Sequence, residues 1–136
     1  MNSPTSPGPC PCGTGRSYSA CCGALHAAHA AGRGLTAATP EALMRSRYAA
    51  FALDQRAYLL ATWHPSTRPA ALEPPEPGLK WLGLTVKRAT MHDDEHGSVE
   101  FVARSKLAGR AHRLHETSRF VRDDGEWFYL DGDLEN

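Results

Sequence analysis

The four cysteines of this chain all lie between residues 10 and 22, and no other sequence feature limits its folding as strongly. A zinc ion takes four ligands at the corners of a tetrahedron and binds thiolate sulfurs at about 2.3 Å. Gly13 and Gly15 allow the positive φ angles that turn the chain back between the two cysteine pairs. Because so short a peptide cannot bury a core, metal binding would supply its folding energy. The spacing predicts a zinc knob over residues 10–26, with one structural zinc ion held by Cys10, Cys12, Cys21 and Cys22.

Other uses of the four thiols are open at this point. His26 is close enough in the sequence to replace Cys22 as the fourth ligand. Two disulfides, free thiols, or a redox or metal-buffering role are alternatives to a structural site. A bridge between the adjacent Cys21 and Cys22 would strain the peptide that joins them, and the sequence has no Cys-x-x-Cys redox pair. These considerations favour the structural metal site.

Composition excludes several classes of protein. Lys+Arg and Asp+Glu both number 15, so the chain lacks the basic excess of a protein that binds DNA through bulk charge. No apolar run approaches the roughly 20 residues of a membrane helix, and the start of the chain lacks the features of a secretory signal. We therefore expect a cytoplasmic protein, where thiols stay reduced. Residues 1–9 contain three prolines and are expected to be a disordered lead-in.

The middle of the sequence predicts a helical pair over about residues 40–63. Thr39 is a good capping residue and Pro40 suits the first helical position. An apolar stripe follows at i, i+4 and i+7, and a second cap is expected at Asp54. Pro65 ends the pair, and residues 65–78 carry five prolines and read as a connector. The Ala- and Gly-rich stretch 24–38 is expected to be a loop with a short helical turn.

The last third of the chain predicts an antiparallel meander. Turn sequences at 93–97, 108–110 and 123–125 separate four segments with alternating apolar residues. In the first segment the alternating residues are Leu82, Leu84 and Val86. Helices followed by a meander indicate an α+β fold, with the helical pair packed on one face of the sheet.

Glu116 is the acidic residue with the most informative position. Counting by two places its side chain on the same sheet face as Leu114, Ser118 and Phe120. A carboxylate that is buried under the helices must have a hydrogen-bond or charged partner, or its pKa rises. One interpretation is a structural pair with Arg45, Arg47 or His64. The other is a general acid or base in a pocket, with His64 at the end of the helical pair as a second catalytic candidate.

The cysteine segment resembles a known zinc motif. The pattern Cys10-x-Cys12-x8-Cys21-Cys22, with Gly13, Gly15 and Tyr18 between, resembles the SEC-C motif found at the C-terminus of the preprotein translocase motor SecA. In relatives with SEC-C motifs, the knob docks on proteins such as the chaperone SecB, or on ribosomes. The resemblance implies contact with a protein or ribosomal partner through the residues between the ligand pairs, namely Arg16, Ser17 and Tyr18.

The rest of the chain resembles the YchJ family of uncharacterised bacterial proteins. The resemblance is carried by Arg45-Ser46-Arg47-Tyr48, Thr62-Trp63-His64-Pro65, His115-Glu116-x-Ser118-x-Phe120 and Gly125-x-Trp127-x-Tyr129. It implies that residues 36–136 form a domain similar to nuclear transport factor 2, a curved sheet closed by helices into a cystatin-like cone. The expected function is a docking module whose cone domain binds a small ligand. The alternative is an isomerase- or hydratase-like enzyme that uses Glu116 and His64.

Overall fold

The computed structural model describes residues 9–135 of the chain. Apart from Pro9, the predicted disordered lead-in over residues 1–9 lies outside these residues. A short 3-10 turn at Tyr18–Ala20 precedes three helices, α1 (Cys22–Ala30), α2 (Pro40–Ala52) and α3 (Arg56–Ala61). Four strands follow, β1 (Lys80–Asp93), β2 (His96–Leu107), β3 (Arg110–Asp123) and β4 (Glu126–Leu134). All neighbouring strands pair antiparallel in the order β1-β2-β3-β4, so the predicted α+β fold with a curved antiparallel sheet is confirmed.

The predicted start of α2 is confirmed by its cap. Thr39 Oγ1 accepts a 3.1 Å hydrogen bond from the backbone N–H of Ala42, and Pro40 occupies the first helical position. The predicted second cap at Asp54 is wrong. Gln55 precedes α3 instead, and Asp54 has a φ of 55° and pairs with Arg56 at 2.9 Å.

The expectation of a loop over residues 24–38 is wrong in its first part. Helix α1 runs from Cys22 to Ala30 and passes residue 26, where the sequence predicted the end of the knob. Alanine is the strongest helix former, which favours a helix over this alanine-rich stretch. Small residues give only a weak apolar periodicity, so the pattern did not indicate this helix. The side chains that fix α1 include His26, which is buried. None of the described helices is long and apolar enough to cross a membrane.

The sheet packs its concave face against α2. Val99, Phe101, Phe120 and Trp127 from the sheet share one apolar core with Leu43, Met44 and Tyr48 of the helix. Leu82 does not join this face and is 57% exposed. A register shift between Trp81 and Gly83 inserts an extra residue at this point, so Trp81 takes the inward position that alternation had predicted for Leu82.

The knob belongs to the same core. Cys10, Cys12 and Cys22 are buried in the apolar cluster that contains Leu43 and Tyr48. The knob therefore packs directly on the cone domain.

Candidate metal centre and cone pocket

The structure brings the sulfur atoms of all four predicted ligands together. The Sγ atoms of Cys10, Cys12, Cys21 and Cys22 lie within 4.8 Å of one another, and all four cysteines are free thiols. The Sγ atoms of Cys12 and Cys21 are 3.6 Å apart. A tetrahedral zinc ion with four thiolates would separate its sulfurs by about 3.8 Å, given bonds of about 2.3 Å. The cluster therefore has the donors and the spacing of a four-thiolate metal site.

Local backbone geometry produces this convergence. Gly13 and Gly15 have φ angles of 90° and 85°, and the Cys10 N–H donates to the Arg16 carbonyl at 2.8 Å, which closes a tight hairpin. Cys21 joins the 3-10 turn to α1 with an irregular backbone (φ −127°, ψ −118°). Cys22 is the first residue of α1. This change of direction allows two adjacent cysteines to face one point.

The pKa values of the Cys10, Cys12 and Cys22 thiols are shifted by burial and by contacts with one another. A hydrogen bond from the Cys22 thiol is the main cause that lowers the pKa of Cys12 to about 4. The same contact raises the pKa of Cys22, and burial raises the pKa of Cys10. A divalent cation is the group that allows several adjacent thiolates to coexist, because it balances their charge. The donor set thus fits a metal that prefers sulfur.

His26 is not a fourth ligand, so that alternative is wrong. Its Nε2 lies 2.8 Å from the Ser46 carbonyl oxygen, which can only accept, so Nε2 carries the proton. Its Nδ1 lies 2.6 Å from the Tyr18 hydroxyl and accepts from it. Burial lowers the pKa of His26, which keeps the ring neutral. Both ring nitrogens are therefore occupied by partners on the knob and on α2.

The residues expected to contact a partner differ in exposure. Arg16 is exposed, and its Nη2 donates to the Ala20 carbonyl. Ser17 is half-buried and bridges to Pro9. Tyr18 is half-buried and points inward, which corrects its expected exposure. The Tyr18 ring packs on His26 with centroids 5.6 Å apart, and its hydroxyl donates a hydrogen bond to the same histidine. Tyr18 therefore attaches the knob to α1.

A surface groove runs between the knob with α1 on one side and residues 36–45 on the other. We call it the knob groove; it has a volume of about 470 Å³. One wall comes from the knob and α1 and includes Arg16, Cys21 and Ala24, and the other comes from residues 36–45. On the second wall Arg45 donates to the Cys12 carbonyl at 2.8 Å and pairs with Glu41 at 3.0 Å.

A second cavity, the cone pocket, lies between α2 and the concave sheet face and has a volume of about 260 Å³. Its walls are mostly apolar and aromatic, and its polar side chains include Arg47, Glu116 and Ser118. As expected for residues two apart on a helix, Arg47 lines the pocket and Arg45 reaches the knob.

Glu116 faces the cone pocket, together with Leu114, Ser118 and Phe120, as strand alternation predicted. Its partner is Ser118, whose hydroxyl donates to Glu116 Oε2 at 2.6 Å. Of the predicted partners, neither arginine nor His64 forms an ion pair with it among the described residues. A side chain at Gly132 would overlap the Glu116 carboxyl, so this glycine provides the space for it.

The structure does not bring His64 to Glu116. The residue does not line the cone pocket; its Nε2 lies 2.9 Å from Asp123 Oδ2 and its Nδ1 lies 2.7 Å from Ser66 Oγ. The reason is local. Trp63 forms a parallel bridge with Tyr129, so the backbone is extended there, and adjacent side chains on extended backbone point to opposite sides. Trp63 turns into the pocket and His64 turns out.

The sequence analysis missed Trp63, which lines the cone pocket, and Gly132, which leaves space for the Glu116 carboxyl. The direction of the Trp63 side chain could not be predicted, because the sequence placed Trp63 in a helix. On helical backbone, adjacent side chains do not alternate between opposite sides. Gly132 did carry a signal, since a glycine inside a strand often marks a close approach of another group.

Comparison with known families identifies both parts of the chain. Residues 39–132 match the family described as "YchJ, middle NTF2-like domain", and residues 9–24 match the SEC-C motif. A UPF0225 protein of Methylibium petroleiphilum is 61% identical over 129 residues, which cover 95% of this chain and 90% of the relative. A UPF0225 protein of Bordetella parapertussis is 56% identical over 131 residues and covers 96% of each chain.

Solved structures show the same arrangement. The solution structure of a SEC-C motif containing protein from Rhodopseudomonas palustris superposes with a TM-score of 0.78 at 34% identity, covering 94% of this chain and 99% of that one. The crystal structure of a SEC-C motif containing protein from Psychrobacter arcticus gives a TM-score of 0.77 at 27% identity, covering 96% and 85%.

Proposed function

This chain belongs to the YchJ family, and we propose that it is a zinc-dependent docking module in the cytoplasm. In this proposal, zinc orders the SEC-C knob, and the knob groove receives an extended segment of a protein partner. Four thiolates in a tetrahedral cluster are a preferred site for zinc. Reduced cytoplasmic thiols are compatible with that role.

The knob groove is the observation that carries the docking proposal. Its two walls come from segments that meet only when the knob is folded and packed on α2. Metal binding that orders the knob would therefore also form the groove. Arg16 is the exposed charge on the knob wall, whereas Arg45 on the facing wall is already paired with Glu41. With so few free cations, the groove suits a mixed polar and apolar peptide better than a nucleic acid backbone.

The experiment is site-specific photo-crosslinking in cells. A photoreactive phenylalanine analogue replaces Ala24, which lines the knob groove, or Ala27, which is exposed three residues later on α1 outside the groove. We expect one protein partner to crosslink through position 24, little through position 27, and the crosslink to be lost in Cys12→Ser. Arg16→Glu should weaken it without loss of metal.

One result would count against docking in the knob groove, and another would count against a protein as the partner. Equal crosslinking at positions 24 and 27 would indicate nonspecific contact. Crosslinking to RNA instead of protein would replace the protein partner with a ribosomal one.

We further propose that the cone pocket binds a small ligand. Its mostly apolar walls with a few polar groups support this, and its volume of about 260 Å³ suits a molecule smaller than a typical drug. The enzymatic alternative needs Glu116 and His64 in one cavity, and the position of His64 beside Asp123 gives it no support. Native mass spectrometry of gently purified protein tests this second proposal by detecting a copurified small molecule.

A further inference from the structure

Arg47 places a buried positive charge at the wall of the cone pocket. Its side chain is only 6% exposed, and its Nη1 donates to the Leu59 carbonyl at 2.8 Å and to Thr62 Oγ1 at 2.6 Å. Its guanidinium carbon lies 4.6 Å from the ring centre of Tyr129 and 5.3 Å from that of Trp63. Burial lowers its pKa to about 10, so it keeps its charge at neutral pH.

This charge has no carboxylate partner among the described residues. Within residues 9–135, no Asp or Glu oxygen forms an ion pair with Arg47 within 4.0 Å, and its Nε and Nη2 form no hydrogen bond. The aromatic rings offset part of the cost of burying the cation. The carboxylate of Glu116, which lines the same pocket, attracts this charge from beyond ion-pair distance. A buried cation with no carboxylate in direct contact is still unfavourable, and an anion beside it in the pocket would be attracted to it.

Trp63 provides a second, independent sign of a missing acceptor. Its Nε1 is the one buried side-chain nitrogen or oxygen in residues 9–135 that has no hydrogen-bond partner. Buried donors in folded proteins are nearly always paired, so an unpaired one calls for an explanation such as a ligand. Trp63 and Arg47 line the same cavity and are in contact through the indole face.

We propose that the cone pocket binds a small monocarboxylic acid with an apolar body the size of one ring or a branched aliphatic chain. The carboxylate faces the charge of Arg47 and takes the hydrogen bond of Trp63 Nε1, which a small turn of the buried indole brings to the cavity. The apolar body packs against aromatic walls that include Tyr48, Phe101 and Phe120. This inference rests on the proposal that the pocket binds a small ligand, and it specifies the chemistry of that ligand.

Glu116 limits the charge of the ligand and its orientation. Its carboxyl is held by Ser118 and seated over Gly132, so it keeps its position on the sheet wall. A second negative charge on the ligand would meet this carboxylate and be repelled. A monoanion with its charge toward α2 and its apolar end elsewhere avoids that repulsion.

The test compares acids with neutral molecules of the same shape. Benzoate, phenylacetate and isovalerate, each with its primary amide, are titrated into the zinc-loaded full chain and followed by NMR shifts of pocket residues. We expect at least one acid to bind, and its amide to bind at least about tenfold more weakly. Equal binding of acid and amide would overturn the charge assignment and leave small-ligand binding intact. No binding of any of the six up to about 10 mM would overturn both.

Variants assign the effect to the named groups. Trp63→Phe keeps an aromatic ring and removes the N–H, and it should weaken the bound acid by about tenfold. Glu116→Gln should strengthen acids severalfold and change amides little, because it removes the repelling charge. His64→Gln, outside the pocket, is the matched control and should change neither. If both Trp63→Phe and Glu116→Gln bind the acid as the wild type does, the proposal is overturned. Arg47 is not substituted, because its hydrogen bonds hold the end of α3.

Discussion

The hydroxyl of Tyr18 donates a 2.6 Å hydrogen bond to Nδ1 of His26. Gln55 donates to the same hydroxyl at 3.1 Å, and His26 donates from Nε2 to the Ser46 carbonyl at 2.8 Å. This chain of hydrogen bonds joins the knob, α1, α2 and the start of α3. The cysteine cluster is thus attached to the cone domain through polar contacts as well as through the shared apolar core.

The first prediction concerns this chain of hydrogen bonds. Tyr18→Phe should lower the free energy of unfolding by about 1–2 kcal/mol, because His26 Nδ1 loses its donor inside the protein. Metal content should be unchanged. Urea denaturation of Tyr18→Phe, His26→Gln and the double variant forms a double-mutant cycle, and we expect the two effects to be less than additive. Full additivity would mean that the two side chains act independently.

The second prediction is a pH dependence that comes from His26. Its pKa in the folded protein is lowered by burial, from about 6.5 in the unfolded chain. The unfolded state therefore binds more protons in acid, and the contribution of neutral His26 is present above about pH 6.5 and is lost as the pH falls. The stability difference between the wild type and His26→Gln should shrink between about pH 7.5 and pH 5. Because both proteins have the same cysteines, protonation of the thiols cancels in this difference. A stability difference that stays constant with pH would contradict the assignment to His26.

The third prediction concerns the metal. Cys12→Ser should abolish stoichiometric metal binding and lower the melting temperature by about 10 °C, equivalent to roughly 3 kcal/mol for a chain of this size. The loss should reach the cone domain, because Cys12 is part of its core cluster. Elemental analysis and calorimetry measure the two effects. Ser19→Ala, exposed within the knob, is the control and should change neither.

The fourth prediction concerns Gly132 and Glu116. Gly132→Ala should destabilise the protein by about 1 kcal/mol, because the new Cβ displaces the Glu116 carboxyl and breaks its hydrogen bond with Ser118. Adding Glu116→Ala should restore most of that loss by removing the overlapping group. Gly83→Ala is the matched control, since that strand glycine has open space around it. Thermal unfolding of these three variants and the wild type tests this, and a double variant no more stable than Gly132→Ala would refute the overlap.

Short-range patterns accounted for much of the fold. The cap at Thr39, the proline at position 40 and the turn sequences between the strands each act over a few residues, so the sequence alone was sufficient to predict them. The spacing of the cysteines likewise predicted that their sulfurs converge. The register shift at Leu82 was not predictable in this way, because a bulge is fixed by how two strands pair over their whole length.

What the sequence determined by itself was the family, the order of α2, α3 and the four strands, and the four cysteines whose sulfurs converge. Only the tertiary structure decided that Tyr18 and His26 turn inward to each other, that Trp63 enters the cone pocket, and that His64 leaves it. The direction of those side chains depends on partners far away in the chain, such as Ser46, Tyr129 and Asp123. Ligand spacing, caps and turns are local interactions, whereas the composition of a pocket depends on long-range packing that becomes defined once the sheet and helices have met.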